Sequence, residues 1–271
     1  MNHIQIRIDV VGENQQEKII SNLIELGYEG FEQNENELLA YIEEAKFNNA
    51  ELTNFLAENN LSFSKQIIPQ QNWNEVWESN FDPVIVDNFV GIRAHFHDVI
   101  KNVKHEIVIT PKMSFGTGHH ATTFMVMQLM RDVDFKNKTV FDFGSGTGIL
   151  AILAEKLGAA ELLAFDYDDW CIENALENVQ QNNCSKIKIA KADNAIVEKQ
   201  FDIVIANINK NIIQDNFEHL NNAIILNGTI ILSGLLIEDE SDILQLASQH
   251  NWIHKTTTTK GAWIAIKFVK N

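Results

Sequence analysis

The residues with the clearest potential for chemistry lie in the stretch TVFDFGSGTGIL. Asp142 precedes Gly144 by two residues, and Gly146 and Gly148 follow at alternate positions. Glycines placed in this way let a ligand come very close to the backbone at the start of a helix. The spacing G-x-G-x-G differs from the G-x-G-x-x-G of dinucleotide sites, and no Lys-Ser or Lys-Thr pair follows, which a phosphate-binding P-loop requires.

Two acidic residues decide which ligand fits this turn. A carboxylate at Asp142 would repel a pyrophosphate but would attract a ligand that bears an ammonium group. Asp166 ends the next predicted strand, 22 residues after Gly144, where an acidic side chain binds ribose hydroxyls. S-adenosylmethionine has an ammonium group, a sulfonium and a ribose, and it has no phosphate. We therefore predict S-adenosylmethionine as the cofactor, with a nicotinamide dinucleotide as the main alternative.

Asn207 follows directly on the apolar strand FDIVIA. Ligands of open α/β sheets bind beyond the carboxyl ends of the strands, so Asn207 is predicted to face the reacting methyl group. Its amide oxygen can accept a hydrogen bond from an incoming amine and so direct the nitrogen lone pair at the methyl carbon. We predict that Asn207 contacts the cofactor and acts in catalysis, the alternative being an Asn that only satisfies the strand end. Asp193, after the third strand, is a predicted adenine contact.

The elements that position these residues alternate between strands and helices from Lys138 onward. Repeated β-α units imply a parallel sheet with helices on both faces. The predicted strands 252–258 and 262–269 are joined by a turn too short for a crossover helix, so they must pair antiparallel. This pattern predicts an α/β fold, the Rossmann-like sheet of class I methyltransferases with an antiparallel C-terminal hairpin, in a domain that spans 91–271.

The first part of the chain has a different organisation. Residues 1–68 show the pattern β-α-β-β-α-β, which predicts a small ferredoxin-like α+β domain, and 69–90 are predicted to form a linker. Twelve acidic residues stand against four basic ones in residues 1–68. This excess is either a docking face for a basic partner or a solvated acidic surface.

Composition limits the partners of the whole chain. The net charge of the 271 residues is -16, which argues against binding to DNA, RNA or anionic membranes. No apolar stretch approaches the roughly 18 residues of a membrane span, and the N-terminus lacks the pattern of a signal peptide. The two cysteines form no disulfide framework, and His95 and His97 lack the neighbours of a metal site. We expect a cytoplasmic monomer that binds no metal.

Three further segments carry a resemblance to a known family. They are NWNEVWESNFDPV in the linker, PKMSFGTGHHATT at 111–123, and ANI at 206–208. Together with the glycine turn they resemble the ribosomal protein L11 methyltransferases, and the resemblance covers essentially the whole chain. It implies transfer of methyl groups from S-adenosylmethionine to amino groups of ribosomal protein L11, on lysine side chains, the N-terminal α-amine or both.

The segment 111–123, which we call the signature loop, supplies the remaining candidate residues. The resemblance implies that Thr123 and Thr117 reach the cofactor, and Phe115 is predicted to lie against its adenine or methionine portion. His119 and His120 have two possible roles, either as a general base or as ordinary hydrogen-bonding groups. The residues after His120 are predicted to cap the following helix.

Two other functions stay open at the level of sequence. One is a methyltransferase of the same fold that acts on another protein, a small amine or an RNA base. The other is a non-catalytic module that binds S-adenosylmethionine. The residues do not specify which amines are modified or how many methyl groups each one receives.

Overall fold

The computed structural model describes residues 2–10, 12–28, 30–34, 36–59, 61–68, 81–112 and 116–271. The chain divides into two compact units, Met1–Val76 and Trp77–Asn271. The boundaries at 1–68, 69–90 and 91–271 stay a prediction, because 69–80 lie outside the described residues. Among the residues that are described, no helix is long and apolar enough to cross a membrane.

The N-terminal unit has the predicted ferredoxin-like topology. Its described elements are β1 His3–Asp9, α1 Glu13–Glu25, β2 Gly30–Gln33, β3 Glu37–Glu43, α2 Asn49–Glu58 and β4 Phe63–Ile68. The strands form an antiparallel sheet in the order β2-β3-β1-β4. Alternate residues of β1, namely Ile4, Ile6 and Ile8, are buried, which is the period of two expected of a sheet with one covered face. Helix α2 begins where the Asn48 side chain accepts hydrogen bonds from the Ala50 and Glu51 N–H groups.

The C-terminal unit is built on a twisted, mostly parallel sheet. Its described strands are β5 Val84–Val86, β6 Val90–Ala94, β7 His105–Ile109, β8 Thr139–Phe143, β9 Glu161–Asp166, β10 Ile187–Lys191, β11 Phe201–Asn207, β12 Ile224–Leu236, β13 Trp252–Lys260 and β14 Trp263–Lys270. Within the described part of the chain, the main sheet has seven strands in the order β10-β9-β8-β11-β12-β14-β13. Strands β13 and β14 pair antiparallel, as predicted, and β14 pairs antiparallel with β12.

Helices cover both faces of this sheet. They are α3 Ala121–Met130, α4 Ile149–Lys156, α5 Asp169–Gln181, α6 Lys210–Asp215, α7 Phe217–Ala223 and α8 Glu240–Gln249. The sequence predicts one helix near 211–223, but the structure has two, α6 and α7, which meet at Asn216. The Asn216 side chain accepts a hydrogen bond from the Ala195 N–H and donates one to the Ile212 carbonyl, so the junction is tied to a neighbouring loop.

A smaller sheet of β5, β6 and β7 lies within the same unit. The alternation of VGIRAHFHDV favours a strand pair that places His95 and His97 on one side, and this expectation is wrong. Strand β6 ends at Ala94, and the His97 side chain accepts a hydrogen bond from the Ala94 N–H, which closes a turn. Strand β6 pairs in parallel with the more distant β7 instead.

The outer edge of β7 is completed by side chains rather than by another strand. The Asn182 amide accepts a hydrogen bond from the Val108 N–H and donates one to the Val108 carbonyl. One residue pair further on, Asn178 accepts from the Thr110 N–H and Asn174 donates to the Thr110 carbonyl. These three asparagines lie four residues apart, Asn174 and Asn178 on one face of α5 and Asn182 at its C-cap, and we call them the amide ladder.

Candidate active site

The glycine turn adopts a backbone conformation that other residues avoid. The φ angle is +77° at Gly144, +53° at Gly146 and +75° at Gly148, all in the left-handed region that favours glycine. A Cβ atom on Gly144 would also lie 2.9 Å from Ile208 Cδ1. The glycines are therefore required by the turn itself as well as by any ligand. Gly148 directly precedes helix α4, whose N-terminus carries a partial positive charge.

Asp166 holds this turn in place. Its carboxylate accepts a hydrogen bond from the Gly146 N–H at 2.8 Å and a second from the Asp168 N–H at 3.1 Å. The side chain is 7 % exposed. A carboxylate offers about four acceptor positions, so two stay available for hydroxyl donors. The predicted ribose contact is thus a structural group of the turn as well.

Asp142 has the opposite surroundings. It is 1 % exposed, and neither carboxylate oxygen has a hydrogen-bond partner among the described residues. The pKa of Asp142 is raised to about 7, chiefly by burial and also by the nearby Asp166 charge, and the Ala151 N–H partly offsets this rise. A buried carboxyl without a partner is costly in a folded protein and points to a group that is completed by a cationic ligand.

Only one of the two polar atoms of the Asn207 side chain has a hydrogen-bond partner among the described residues. Its Nδ2 donates a hydrogen bond to Thr123 Oγ1 at 3.2 Å, while its Oδ1 is buried and has no partner among the described residues. The side chain is 6 % exposed, and Thr123 is fully buried. Thr123, which the resemblance assigned to the cofactor, is therefore in contact with Asn207 and fixes which atom of the amide is available as an acceptor.

These groups lie together because their strands are neighbours. Asp142 is paired in register with Ala164 of β9 and with Ile205 of β11, so Asp166 and Asn207 each follow two residues later on either side of it. The carboxyl ends of parallel strands meet at one edge, which is where open α/β sheets bind ligands. The described residues contain no group of three His, Cys, Asp or Glu side chains that could hold a metal ion.

The other predicted contacts lie nearer to the surface. Asp193 is exposed just beyond β10 and accepts a hydrogen bond from the Asn194 side chain. The Thr117 hydroxyl lies 3.3 Å from His119 Nδ1, and His119 packs edge-on against Phe81. Phe115 lies outside the described residues.

His120 caps helix α3. Its Nδ1 accepts a hydrogen bond from the Thr122 N–H, and its ring packs edge-on against Trp263. Burial lowers the pKa of His120, which favours the neutral ring that a cap requires. The prediction that the residues after His120 form the cap is wrong, because Thr122 and Thr123 lie inside the first turn of the helix.

Two buried residues of this site were not found from the sequence. The Thr147 hydroxyl donates a hydrogen bond to the Gly116 carbonyl at 2.6 Å, and Asn178 donates one to the Thr147 carbonyl at 2.9 Å. The asparagines at 174, 178 and 182 recur at helical spacing, and that recurrence is the signal that could have identified them.

Comparison with known proteins decides the family. The family model described as Ribosomal protein L11 methyltransferase (PrmA) matches residues 3–271. The chain belongs to the ribosomal protein L11 methyltransferase family. A family member from Porphyromonas gingivalis is 38% identical over 256 residues, which cover 92% of this chain and 88% of the relative. One from Chlorobaculum tepidum is 35% identical, with 97% and 95% covered.

A solved structure agrees with this assignment. The crystal structure of ribosomal protein L11 methylase from Lactobacillus delbrueckii subsp. bulgaricus has a TM-score of 0.65 and 29% sequence identity, and it covers 70% of this chain and 100% of its own. Membership in the L11 methyltransferase family confirms the predicted fold class, the S-adenosylmethionine-dependent protein methyltransferase activity and the cofactor.

Proposed function

We propose that this chain methylates amino groups of free ribosomal protein L11, on lysine side chains, the N-terminal α-amine or both. The single observation that carries the proposal is that two buried hydrogen-bond acceptors at the ends of adjacent strands have no partner among the described residues. They are the buried carboxyl of Asp142 and the buried amide oxygen of Asn207. One suits a cationic cofactor, and the other suits an incoming amine.

The residues present fit S-adenosylmethionine, which supplies an activated methyl group when it is bound. Asp142 would hold its ammonium group and Asp166 its ribose hydroxyls. The turn of Gly144, Gly146 and Gly148 would pass close to it, and Asp193 would contact the adenine. Thr117 and Phe115 of the signature loop would line the same site, together with Thr123, which contacts Asn207.

Asn207 would act on the acceptor amine. Its Oδ1 accepts an N–H hydrogen bond and thereby turns the nitrogen lone pair toward the methyl carbon for in-line displacement. The amine must be neutral. Deprotonation at pH 7 costs about 4.6 kcal/mol for a lysine with its reference pKa of about 10.4. The same step costs only about 1.4 kcal/mol for an α-amine with a pKa near 8. Asn207 is not a base, so the proton passes to water.

The N-terminal unit is proposed to bind the protein substrate. It has its own buried core and carries none of the candidate cofactor residues. Its acidic excess complements a basic protein and would raise the rate of encounter in a salt-dependent way. Deleting residues 1–68 should leave S-adenosylmethionine binding nearly intact and abolish methylation of L11. Methylation at the full rate by the truncated enzyme would contradict this role.

Mass spectrometry of purified L11, before and after incubation with enzyme and S-adenosylmethionine, tests the proposal directly. We expect mass increases in steps of one methyl group, and fragmentation would locate the modified amines. Incubation with the Asn207→Ala variant serves as the control. No mass change with the wild-type enzyme, in the presence of measured cofactor binding, would contradict L11 as the substrate. Light scattering would test the expected monomer, and fractionation would test the expected cytoplasmic location.

A further inference from the structure

Thr147 joins the glycine turn to the signature loop. The residue is fully buried, and its hydroxyl donates the 2.6 Å hydrogen bond to the Gly116 carbonyl. The approach is close, because a Cβ atom on Gly116 would lie 3.1 Å from Thr147 Oγ1. Gly116 has a φ of +101°, which a side chain would strain. The contact therefore depends on a hydroxyl at one position and a glycine at the other.

Asn178 joins the same two segments from the other side. It is fully buried, and both ends of its amide are used. Its Oδ1 accepts from the Thr110 N–H at 2.8 Å, immediately before the signature loop, and its Nδ2 donates to the Thr147 carbonyl at 2.9 Å. Thr147 thus contacts Gly116 directly and Thr110 through Asn178. The two contacts bracket the segment that includes Phe115 and precedes Thr117.

We infer that Thr147 and Asn178 are positioning residues that hold the two ends of this segment against the glycine turn. Through this contact they set the affinity for S-adenosylmethionine and the rate of methyl transfer. The inference rests on the proposed function, because it assumes that the loop and the turn contact one cofactor. Thr117 follows Gly116 directly, so a shift of the Gly116 carbonyl would move a predicted cofactor contact.

The decisive variants are Thr147→Val and Thr147→Ser. Valine keeps the branched shape and removes the donor, and we expect a Kd for S-adenosylmethionine about tenfold higher, the change that one lost hydrogen bond produces. Serine keeps the donor and should stay within about threefold of wild type. Hydrogen exchange should be faster at residues 116–120 in Thr147→Val alone. This readout does not require catalysis.

Asn182 offers a matched control for Asn178. Each accepts a hydrogen bond from a backbone N–H at this strand edge, but the Asn178 Nδ2 donates to the Thr147 carbonyl, whereas the Asn182 Nδ2 donates to the Val108 and Asn178 carbonyls and does not touch the glycine turn. Asn178→Ala should raise the Kd and lower kcat, whereas Asn182→Ala should lower the melting temperature and leave both constants within about twofold of wild type. Equal effects of the two variants would overturn the inference and indicate a purely structural role.

The outcomes separate this inference from the proposed function. If the wild-type enzyme neither binds S-adenosylmethionine nor methylates L11, the proposed function fails and the inference fails with it. If the wild type is active and Thr147→Val matches it in Kd, kcat and loop exchange, only the positioning role is overturned. The Thr147 variants decide the question even if Asn178→Ala does not fold.

Discussion

Strands β8 and β9 each carry a buried aspartate at or near the carboxyl end, but the hydrogen bonding of the two carboxylates is opposite. Asp166 at the end of β9 accepts two backbone hydrogen bonds, while Asp142 near the end of β8 has no partner among the described residues. Exposure differs little, at 7 % and 1 %. The comparison shows that burial alone does not distinguish a carboxylate that the backbone satisfies from one that has no hydrogen-bond partner among the described residues.

The difference has a physical origin in the path of the backbone after each strand. Beyond Asp166 the chain turns so that the Asp168 N–H returns to the carboxylate, and the neighbouring glycine turn supplies the Gly146 N–H. Asp142 precedes the turn, and its oxygens have no hydrogen-bond partner among the described residues, while the Ala151 N–H only partly offsets the rise in its pKa. The backbone therefore supplies hydrogen-bond donors to the Asp166 carboxylate, whereas the pKa of Asp142 is raised to about 7, chiefly by burial.

The largest effect is expected from Asp166→Ala. This change removes the proposed acceptor for two ribose hydroxyls. Each hydrogen bond to a charged group is worth about 1.5–3 kcal/mol, so the Kd for S-adenosylmethionine should rise about a thousandfold. The Gly146 and Asp168 N–H groups also lose their acceptor, and the free energy of unfolding should fall by about 2 kcal/mol. Calorimetry and denaturant titration measure the two effects. Unchanged affinity in a folded variant would refute the ribose assignment.

Asp142→Asn should separate binding from stability. The charge that would pair with the cofactor ammonium is removed, and we expect a Kd about thirtyfold higher, which corresponds to about 2 kcal/mol. At pH 8 the free energy of unfolding should not fall, because a neutral amide replaces a buried carboxylate without a partner. The same two measurements apply. A loss of stability as large as that of Asp166→Ala would show that the two carboxylates do not differ as described.

Asn207→Ala should act on the rate rather than on binding. The amide oxygen is proposed to align the amine, whose alignment matters most in the transition state, so kcat should fall about tenfold with the cofactor Kd within about twofold. Asn209→Ala is the matched control, because Asn209 caps helix α6 two residues further on. The control should lower stability and leave kcat unchanged. Weak cofactor binding with a normal kcat in Asn207→Ala would reverse its role.

The most gradual effect is a pH dependence of stability. The pKa of Asp142 is about 7 in the folded protein against 3.8 ordinarily, so between these values the folded state holds a proton that the unfolded state has lost. The stability that this proton contributes is fully present below pH 3.8 and is lost as pH rises through 7, with a slope of about 1.4 kcal/mol per pH unit between these values. The difference in unfolding free energy between wild type and Asp142→Asn, measured from pH 5.5 to 8, isolates this slope. The lowered pKa values of His105 and His120 act in the opposite direction and cancel in that difference. A flat difference would contradict the assignment.

Much of the architecture can be predicted from the sequence because its signals are local and periodic. The alternation in β1, the glycine turn and the short connection between β13 and β14 each predict an element without knowledge of distant residues. The strand pairing of β6 was missed for the opposite reason. Its partner β7 lies beyond a loop, and the turn at Ala94 depends on the His97 side chain.

The residues of the candidate site also fall into those that the sequence predicts and those that it does not. Asp142, Asp166 and Asn207 were identified because each stands at a strand end, and strand ends can be predicted. The contact between Thr147 and Gly116 depends on where two separate segments meet, as does the packing of the His120 ring against Trp263. No spacing along the chain encodes that distance, so these contacts became visible only in three dimensions.

The amide ladder on α5 has a consequence that concerns the enzyme in a concentrated solution. An open strand edge offers a row of unpaired N–H and C=O groups on which another molecule can add a strand and begin to aggregate. At Val108 and Thr110 both backbone groups are already bonded to Asn174, Asn178 and Asn182. Asn174 and Asn178, which bind Thr110 at the entrance to the signature loop, therefore act together with Asn182 to block intermolecular strand addition along this part of the β7 edge.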